Sequence, residues 1–266
     1  MTSKNTTSRG SLGKVRSAQS TSRILLIDVS NSFTKIATAI NGKIGKVRKV
    51  ATPKLTTETF WKTKATLAVI SSVVPSASRM IAESLPCEPL WVDHRVPGGV
   101  PVSYPNPRTI GADRLANAAA VTALGKLPAI VVDFGTAVTF DVIDTRGRYL
   151  GGIIAPGLPT AARALHEKTA LLPLTRISTV STSVGKSTGE AIRIGLLLGA
   201  VGLVREAVAR ITREMFPGKK PFVITTGGDS DLVARLSSQQ GGGRVIDLVD
   251  PLLTLRGLLA IGEKNL

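Results

Sequence analysis

The segment Ala129-Ile130-Val131-Val132-Asp133-Phe134-Gly135-Thr136-Ala137 decides the fold. Its four consecutive apolar residues read as a strand buried on both faces. The strand ends on an acid, and a tight loop of small residues follows. Thr139-Phe140-Asp141-Val142-Ile143 resumes a strand, and Arg146-Gly147 marks a turn. The same order of signals stands 105 positions earlier. There Ile24-Leu25-Leu26-Ile27 runs into Asp28-Val29-Ser30-Asn31-Ser32, then Lys35-Ile36-Ala37-Thr38-Ala39-Ile40 and an Asn41-Gly42 hairpin turn. The shared offset pairs Asp28 with Asp133, Thr34 with Thr139 and Gly42 with Gly147. A repeat this long is no solenoid. It predicts two related domains, each opening with strand, acidic loop, strand and turn.

Helical signals fill the intervals. Ile110 to Lys126 is rich in Ala and Leu, with no internal proline. Ser187, followed three residues on by Glu190, opens a long helix reaching about Phe216. Gly195, Gly199 and Gly202 fall on one face of that helix. Glycine costs about 1 kcal/mol in a helix interior, so three on one face predict close approach by another backbone. Phe222 to Thr226 reads as a strand ending at Gly227-Gly228, and Leu252 to Glu263 as an amphipathic helix after Pro251. Strands alternating with helices give an α/β class. The expected domains are 23–126, with the first acidic loop, and 127–266, with the second.

The 266 residues carry 34 Lys+Arg against 18 Asp+Glu, a formal charge of +16. That balance favours anionic partners: phosphates, nucleic acid or membrane surfaces. Aromatics at 4% argue against stacking platforms for single-stranded nucleic acid. The lone Cys87 excludes an intrachain disulfide or a thiolate cluster, and the reducing cytoplasm is the expected compartment. With only His94 and His166 besides, zinc is not expected, and both histidines read as surface or structural. The longest apolar run, Ile194 to Val204, is about half of the roughly 20 residues a membrane span needs. Residues 1–22 carry Lys4, Arg9, Lys14 and Arg16 and no acid. They lack the apolar core of a secretory signal and read as a disordered basic tail, a transit peptide being the other reading.

A loop of small residues after a strand-ending acid exposes backbone N–H groups to anionic oxygens, and the carboxylate orients Mg²⁺ or its waters. Two such loops facing each other, Asp28 to Lys35 and Asp133 to Ala137, would grip a nucleoside triphosphate; singly, each acid could equally cap a turn. Tyr104-Pro105-Asn106-Pro107-Arg108-Thr109-Ile110-Gly111-Ala112-Asp113-Arg114 runs from a proline-stiffened loop into a helix. Asp113 falls in the first turn, where the helix dipole favours its charged form. It either complements the helix end alone or serves as general base toward a substrate hydroxyl. Arg114 suits a substrate carboxylate. Val184-Gly185-Lys186-Ser187-Thr188 imitates the end of a Walker A loop, but Val180 occupies the first glycine position. A helix start meeting an anionic or polar ligand is the better reading. Gly227-Gly228 and the Gly151-Gly152 to Gly157 segment allow close approach to a ligand or are plain turns.

In this order the segments from about Arg23 to Asn265 resemble type III pantothenate kinase. The carriers are Tyr104 with Gly111 to Arg114, Asp133 to Ala137, Gly151 to Gly157, Gly185 to Thr188, and Asp250-Pro251-Leu252-Leu253-Thr254-Leu255-Arg256-Gly257. The resemblance implies duplicated actin-like (ribonuclease H-like) domains, each a mixed sheet with flanking helices. It implies an ATP-dependent kinase that phosphorylates the primary hydroxyl of pantothenate to 4′-phosphopantothenate, the first step of coenzyme A biosynthesis. Asp28, Val29, Ser30, Asn31, Ser32, Phe33, Thr34 and Lys35 would then form the first ATP loop, and Thr136 would add an ATP contact. Tyr104, Gly111, Ala112, Asp113, Arg114 and Thr188 would hold pantothenate, with Asp113 taking the hydroxyl proton. Asp133 would bind a monovalent cation, K⁺ or NH₄⁺, and Mg²⁺ would accompany ATP. A homodimer is implied, which would give the glycine face its partner; neither a membrane nor nucleic acid is an expected partner.

One position departs from the family. Its first loop usually reads Asp-x-Gly-Asn-Thr; Ser30 stands here at the glycine, and Ser32 at the threonine. The second repeat keeps Gly135 at the matching place. A left-handed backbone at Ser30 would be strained and would weaken ATP binding. Ser30 and the basic charge keep open an alternative: a catalytically impaired relative acting as a binding or regulatory protein, with nucleic acid as its partner. The intact Asp113-Arg114 pair speaks against it, since a protein without catalysis needs no base and clamp together.

Overall fold

A computed structural model describes residues 22–60, 64–85, 87–239 and 243–266. The basic tail expected over 1–22 lies, but for Ser22, outside the described residues.

The first half opens with β1 (Arg23–Val29), β2 (Phe33–Ile40), β3 (Lys43–Ile44) and β4 (Arg48–Ala51), followed by β5 (Leu67–Ser72), α1 (Pro75–Ser84), β6 (Pro89–Trp91) and α2 (Ala112–Ala123). The second half runs β7 (Ala129–Phe134), β8 (Ala137–Ile143), β9 (Tyr149–Pro156), α3 (Leu158–Lys168), α4 (Thr188–Met215), β10 (Phe222–Gly227), α5 (Ser230–Gln239), β11 (Leu248–Val249) and α6 (Leu253–Glu263). The first sheet has the order β3-β2-β1-β5-β6, with β4 also on β2. The second, taken from its other edge, has the order β9-β8-β7-β10-β11. In each, an antiparallel hairpin joins a parallel strand beside its first member: β5 beside β1, β10 beside β7. The duplication is therefore topological as well as sequential, and these are the duplicated actin-like domains.

The register corrects one detail of the repeat. Thr34 lies opposite Val29, and the strand position facing Phe134 is Val138, not Thr139. The second acidic loop is thus one residue shorter. The equivalence is regained after the next turn, where Ala39 faces Ile44 and Ile143 faces Tyr149. Gly42 and Gly147 keep their correspondence, and both have φ of +76°.

Alternation along β1 divides its side chains between two cores. Leu25, Ile27 and Val29 pack toward Ala77 and Ile81 of α1. Ile24 and Leu26 pack against α2 and α6. On the second sheet, Ala129 and Val131 turn toward Ala118, Ala120 and Val121 of α2 and toward Leu253, while Ile130 and Val132 turn toward α4. Helices α2 and α6 thus lie between the inner faces of both sheets. They touch so closely that a Cβ on Gly257 would stand 1.8 Å from the Ala116 carbonyl oxygen. Although α6 belongs to the second half of the chain, it seals the inner face of the first sheet.

Ser187 caps α4 as its sequence suggested: its Oγ accepts from the Glu190 backbone N–H at 3.3 Å. Glu190 reaches back one residue further than the capping-box pattern, accepting from the Lys186 N–H at 2.7 Å. The glycine face differs from expectation. Cβ atoms built on Gly195, Gly199 and Gly202 would meet nothing within 4 Å. Among the described residues, no backbone approaches them. Among the described residues, no helix is long and apolar enough to cross a membrane.

Candidate active site

Asp28 shares the parity of Ile24 and Leu26, and Asp133 that of Ala129 and Val131, so both acids end the inner rows of their strands. The loops that follow them meet: Ser32 Oγ and Thr136 Oγ1 stand 3.5 Å apart. The gap so formed is faced by the start of α2. Asp113 sits in its first turn, its Oδ1 accepting the Arg114 backbone N–H at 2.8 Å. One turn on, Asn117 Nδ2 donates to Asp133 Oδ2 at 3.2 Å, while Thr254 Oγ1 donates to Asn117 Oδ1 at 2.9 Å. Lys35, directly opposite Asp28, donates to the Pro251 carbonyl at 3.2 Å. Two sheets, α2 and the start of α6 thereby deliver three acids and a lysine to one place.

Electrostatics follow from that crowding. Burial pushes the Asp28 carboxyl up to about 7; Lys35 pulls it down, and Asp113 and Asp133 push it further up. Asp28 Oδ1 is buried with no hydrogen-bond partner. Burial also raises Asp133, helped by Asp113 and opposed by Asn117 and Lys35. Asp113 is raised by burial against its contact with the Arg114 N–H and the Arg114 charge. Buried acids that raise one another resist ionising together.

Arg114 faces a different acid. Its Nε donates to Asp141 Oδ1 at 2.7 Å and its Nη2 to the Phe140 carbonyl at 3.2 Å. The Tyr149 hydroxyl donates to the same Asp141 oxygen at 3.0 Å. Tyr104 stands edge-on to Tyr149, with ring centroids 6.4 Å apart. A Cβ on Gly151 would touch the Tyr104 ring at 3.4 Å. Tyr104 and Arg114 therefore share one wall. Thr188 lies exposed on the first turn of α4, apart from these contacts.

The glycines serve internal packing. A Cβ on Gly152 would stand 1.6 Å from the Phe140 oxygen, one on Gly157 2.1 Å from the Gly135 oxygen, and one on Gly227 2.3 Å from the Phe134 oxygen. Gly157 N–H and Thr160 Oγ1 both donate to the Thr136 carbonyl, at 3.0 and 2.6 Å, and so brace the second loop. The strain expected at Ser30 is absent: Asn41 is the only non-glycine with positive φ among the described residues. The Ser30 N–H donates to the Phe33 carbonyl at 3.2 Å, and the Ser30 carbonyl accepts from Thr52 Oγ1 at 2.7 Å. At the matching Gly135, a Cβ would meet only ordinary contacts, at 3.6 Å and beyond. His166 Nδ1 lies 2.9 Å from the Leu172 carbonyl, away from the acids.

A family model described as type III pantothenate kinase matches residues 24–210. The type III pantothenate kinase of Methylacidiphilum infernorum is 40% identical over 245 residues, 90% of this chain and 88% of that protein. The chain belongs to the type III pantothenate kinase family. The Akkermansia muciniphila type III pantothenate kinase is 42% identical over 249 residues, 91% of this chain and 99% of its own. Among solved structures, a conserved putative Baf family transcriptional activator from Campylobacter jejuni aligns with a TM-score of 0.60 at 21% identity, covering 91% of this chain and 98% of that one. A putative N-acetylmannosamine kinase from Listeria monocytogenes aligns with a TM-score of 0.52 at 11% identity, over 92% and 100%. Both likenesses show the fold alone. For a type III pantothenate kinase, the departure at Ser30 costs no backbone strain.

Residues with no role assigned from sequence hold the candidate side chains. Asn117 and Thr254 hold Asp133, and Asp141 with Tyr149 holds Arg114. Asn117 lies four residues after Asp113 in a helix, hence on the same face. Asp141 carries its own signal, as a charge inside the apolar run Val138 to Ile143 that must find a partner.

Proposed function

We propose that this chain phosphorylates pantothenate with ATP, transferring the terminal phosphoryl group to its primary hydroxyl. The observation that carries the reading is the convergence of Asp28, Asp133, Asp113 and Lys35 on the gap between two phosphate-type loops, in a chain of this family. Asp28 to Lys35 and Thr136 bind the ATP phosphates. Tyr104, Gly111, Ala112, Arg114 and Thr188 bind pantothenate. The Asp113 carboxylate accepts the hydroxyl proton; the freed oxygen bonds to the terminal phosphorus as the bond to ADP breaks. Lys35 offsets charge developing on the phosphoryl oxygens.

Two cations fit the residues present. Asp28, with one buried oxygen taking no hydrogen bond, suits Mg²⁺ or its waters. No group of three or more metal-ligating side chains exists among the described residues, so phosphate and water would supply most ligands. Asp133, fixed through Asn117 and raised by burial and then by Asp113, suits K⁺ or NH₄⁺. Bound cations neutralise phosphate charge. The compartment is the cytoplasm, and the halves 23–126 and 127–266 act as the two walls of the cleft. The non-catalytic, nucleic-acid-associated alternative draws no support from the family match.

The deciding experiment measures ADP release by folded protein with ATP and Mg²⁺, with and without pantothenate and K⁺. Release that needs both is expected; folded protein without pantothenate-dependent release overturns the reading. We further assign the exposed face at Gly195, Gly199 and Gly202 to a second copy of the chain, since nothing among the described residues covers it. Sedimentation should give about twice the 27.8 kDa chain mass. Gly199→Leu, which meets open space within the monomer, should shift that mass to one chain without lowering the melting temperature. A monomeric wild type would refute the assignment.

A further inference from the structure

A lysine outside the loop motif shares the inner face with the acids. The strand registers align Ser71, Asp28, Lys35 and Lys49 in one row across β5, β1, β2 and β4. Residues opposite one another in neighbouring strands point to one face, so Lys49 rises beside Lys35 from the face that carries Asp28. Like charges directly opposite on a sheet repel. The two lysines do not share a duty inside the protein. Lys35 donates to Pro251 and pulls down the carboxyls of Asp28 and Asp133. Lys49 joins none of the ion pairs among the described residues.

Lys49 is nevertheless held in place. Its Nζ stands 4.1 Å from the centroid of the Phe33 ring. Phe33 belongs to the first phosphate loop, and it is 45% exposed. Core packing does not explain a large ring left open to solvent at that point. A ring face that attracts an ammonium and limits its rotamers does explain it. Phe33 lies opposite Ala51, one diagonal step from Lys49, so the contact runs along the same face as Lys35.

Resting on the kinase reading above, we propose that Lys49, steadied by the Phe33 ring, contacts the terminal phosphate of the bound nucleoside triphosphate. Lys49 is then a substrate-contacting cation additional to Lys35, and Phe33 is its positioning residue. An ammonium near the transferred group gains most as charge develops on its oxygens.

The test compares Lys49→Met with wild type by calorimetry, using ADP and the non-hydrolysable triphosphate AMPPNP as probes, and by steady-state kinetics. A charge-assisted contact to one phosphate is lost. AMPPNP should therefore bind about 10-fold or more weaker, ADP within about twofold of wild type, and kcat should fall about 10-fold or more. The KM for pantothenate should hold. Lys49→Arg should restore most of the AMPPNP preference. Phe33→Leu should lose part of it at unchanged melting temperature, and Lys46→Met, on the same exposed hairpin, should change nothing. An unchanged ratio of AMPPNP to ADP affinity in Lys49→Met overturns the proposal, as does an effect confined to the KM for pantothenate. Should wild type show no pantothenate-dependent turnover, the kinase reading fails by itself, and the nucleotide comparison still judges Lys49.

Discussion

Asp113→Asn is expected to lower kcat by about 10²- to 10⁴-fold, the usual contribution of a positioned general base, while nucleotide still binds. The amide keeps the shape of the side chain and its contact with the Arg114 N–H, but it cannot accept the substrate proton. The same change relieves the acidic neighbours, since Asp113 is one of the charges that raises both Asp28 and Asp133. Ligand-free Asp113→Asn should therefore melt above wild type at pH 8. Loss of turnover in a more stable protein cannot be ascribed to misfolding. Retained turnover would place the base elsewhere.

The pH dependence has a defined sign. A protonated Asp113 cannot act as base, so kcat/KM should fall as pH drops through its raised value, above the ordinary carboxylate range near 4. Asp28, Asp113 and Asp133 interact, so the acid limb belongs to the group rather than to one residue. Stability runs the opposite way. A folded-state pKa of about 7 against 3.8 for Asp28 means that the folded chain holds more protons between those values. The contribution of this group to the stability of the ligand-free protein is thus greatest below that window and is lost as pH rises through it. A urea titration series from pH 5 to 8 reads this directly, and Asp28→Asn should reduce its slope, leaving the part due to the other raised carboxyls.

Much of this arrangement was legible in the sequence because it rests on strand ends. A continuous apolar run followed by an acid and small residues specifies a buried strand and its loop with little tertiary help, and the chain does so twice. Asp28 and Asp133 were found that way, and the helix carrying Asp113 by its proline-free run of Ala and Leu after a proline-stiffened loop. The sequence could not supply the one-residue difference between the loops, since Thr34 and Thr139 match by count while β-pairing aligns Thr34 with Val138. The glycine segments were legible as points of close approach but not as to what approaches. Gly152, Gly157 and Gly227 turned out to meet backbone of this same chain. Partners of the site residues were hardest to see, because Asn117 with Thr254 and Arg114 with Asp141 meet only when α2 is clamped between two sheets.

That clamp gives the second large effect. Arg114→Met should destabilise the fold by about 3–5 kcal/mol, because it strands a buried carboxylate without its counter-charge. Asp141 has no exposed surface, and its second oxygen takes no hydrogen bond. Burial already pushes this carboxyl up to about 7, against the pull of Arg114 and of the Tyr149 hydroxyl. Without Arg114 the pull is gone, and the folded protein can keep Asp141 only as the neutral acid. The deficit should therefore shrink as pH is lowered from 8 to 6, where taking up that proton becomes easy. Arg114→Met combined with Asp141→Leu should be less destabilised than Arg114→Met alone, since no charge is then left buried. If Arg114→Met were as stable as wild type at pH 8, the guanidinium would be free to serve pantothenate alone. If instead the double variant were no better than the single, the loss would lie in packing around β8 rather than in the stranded charge.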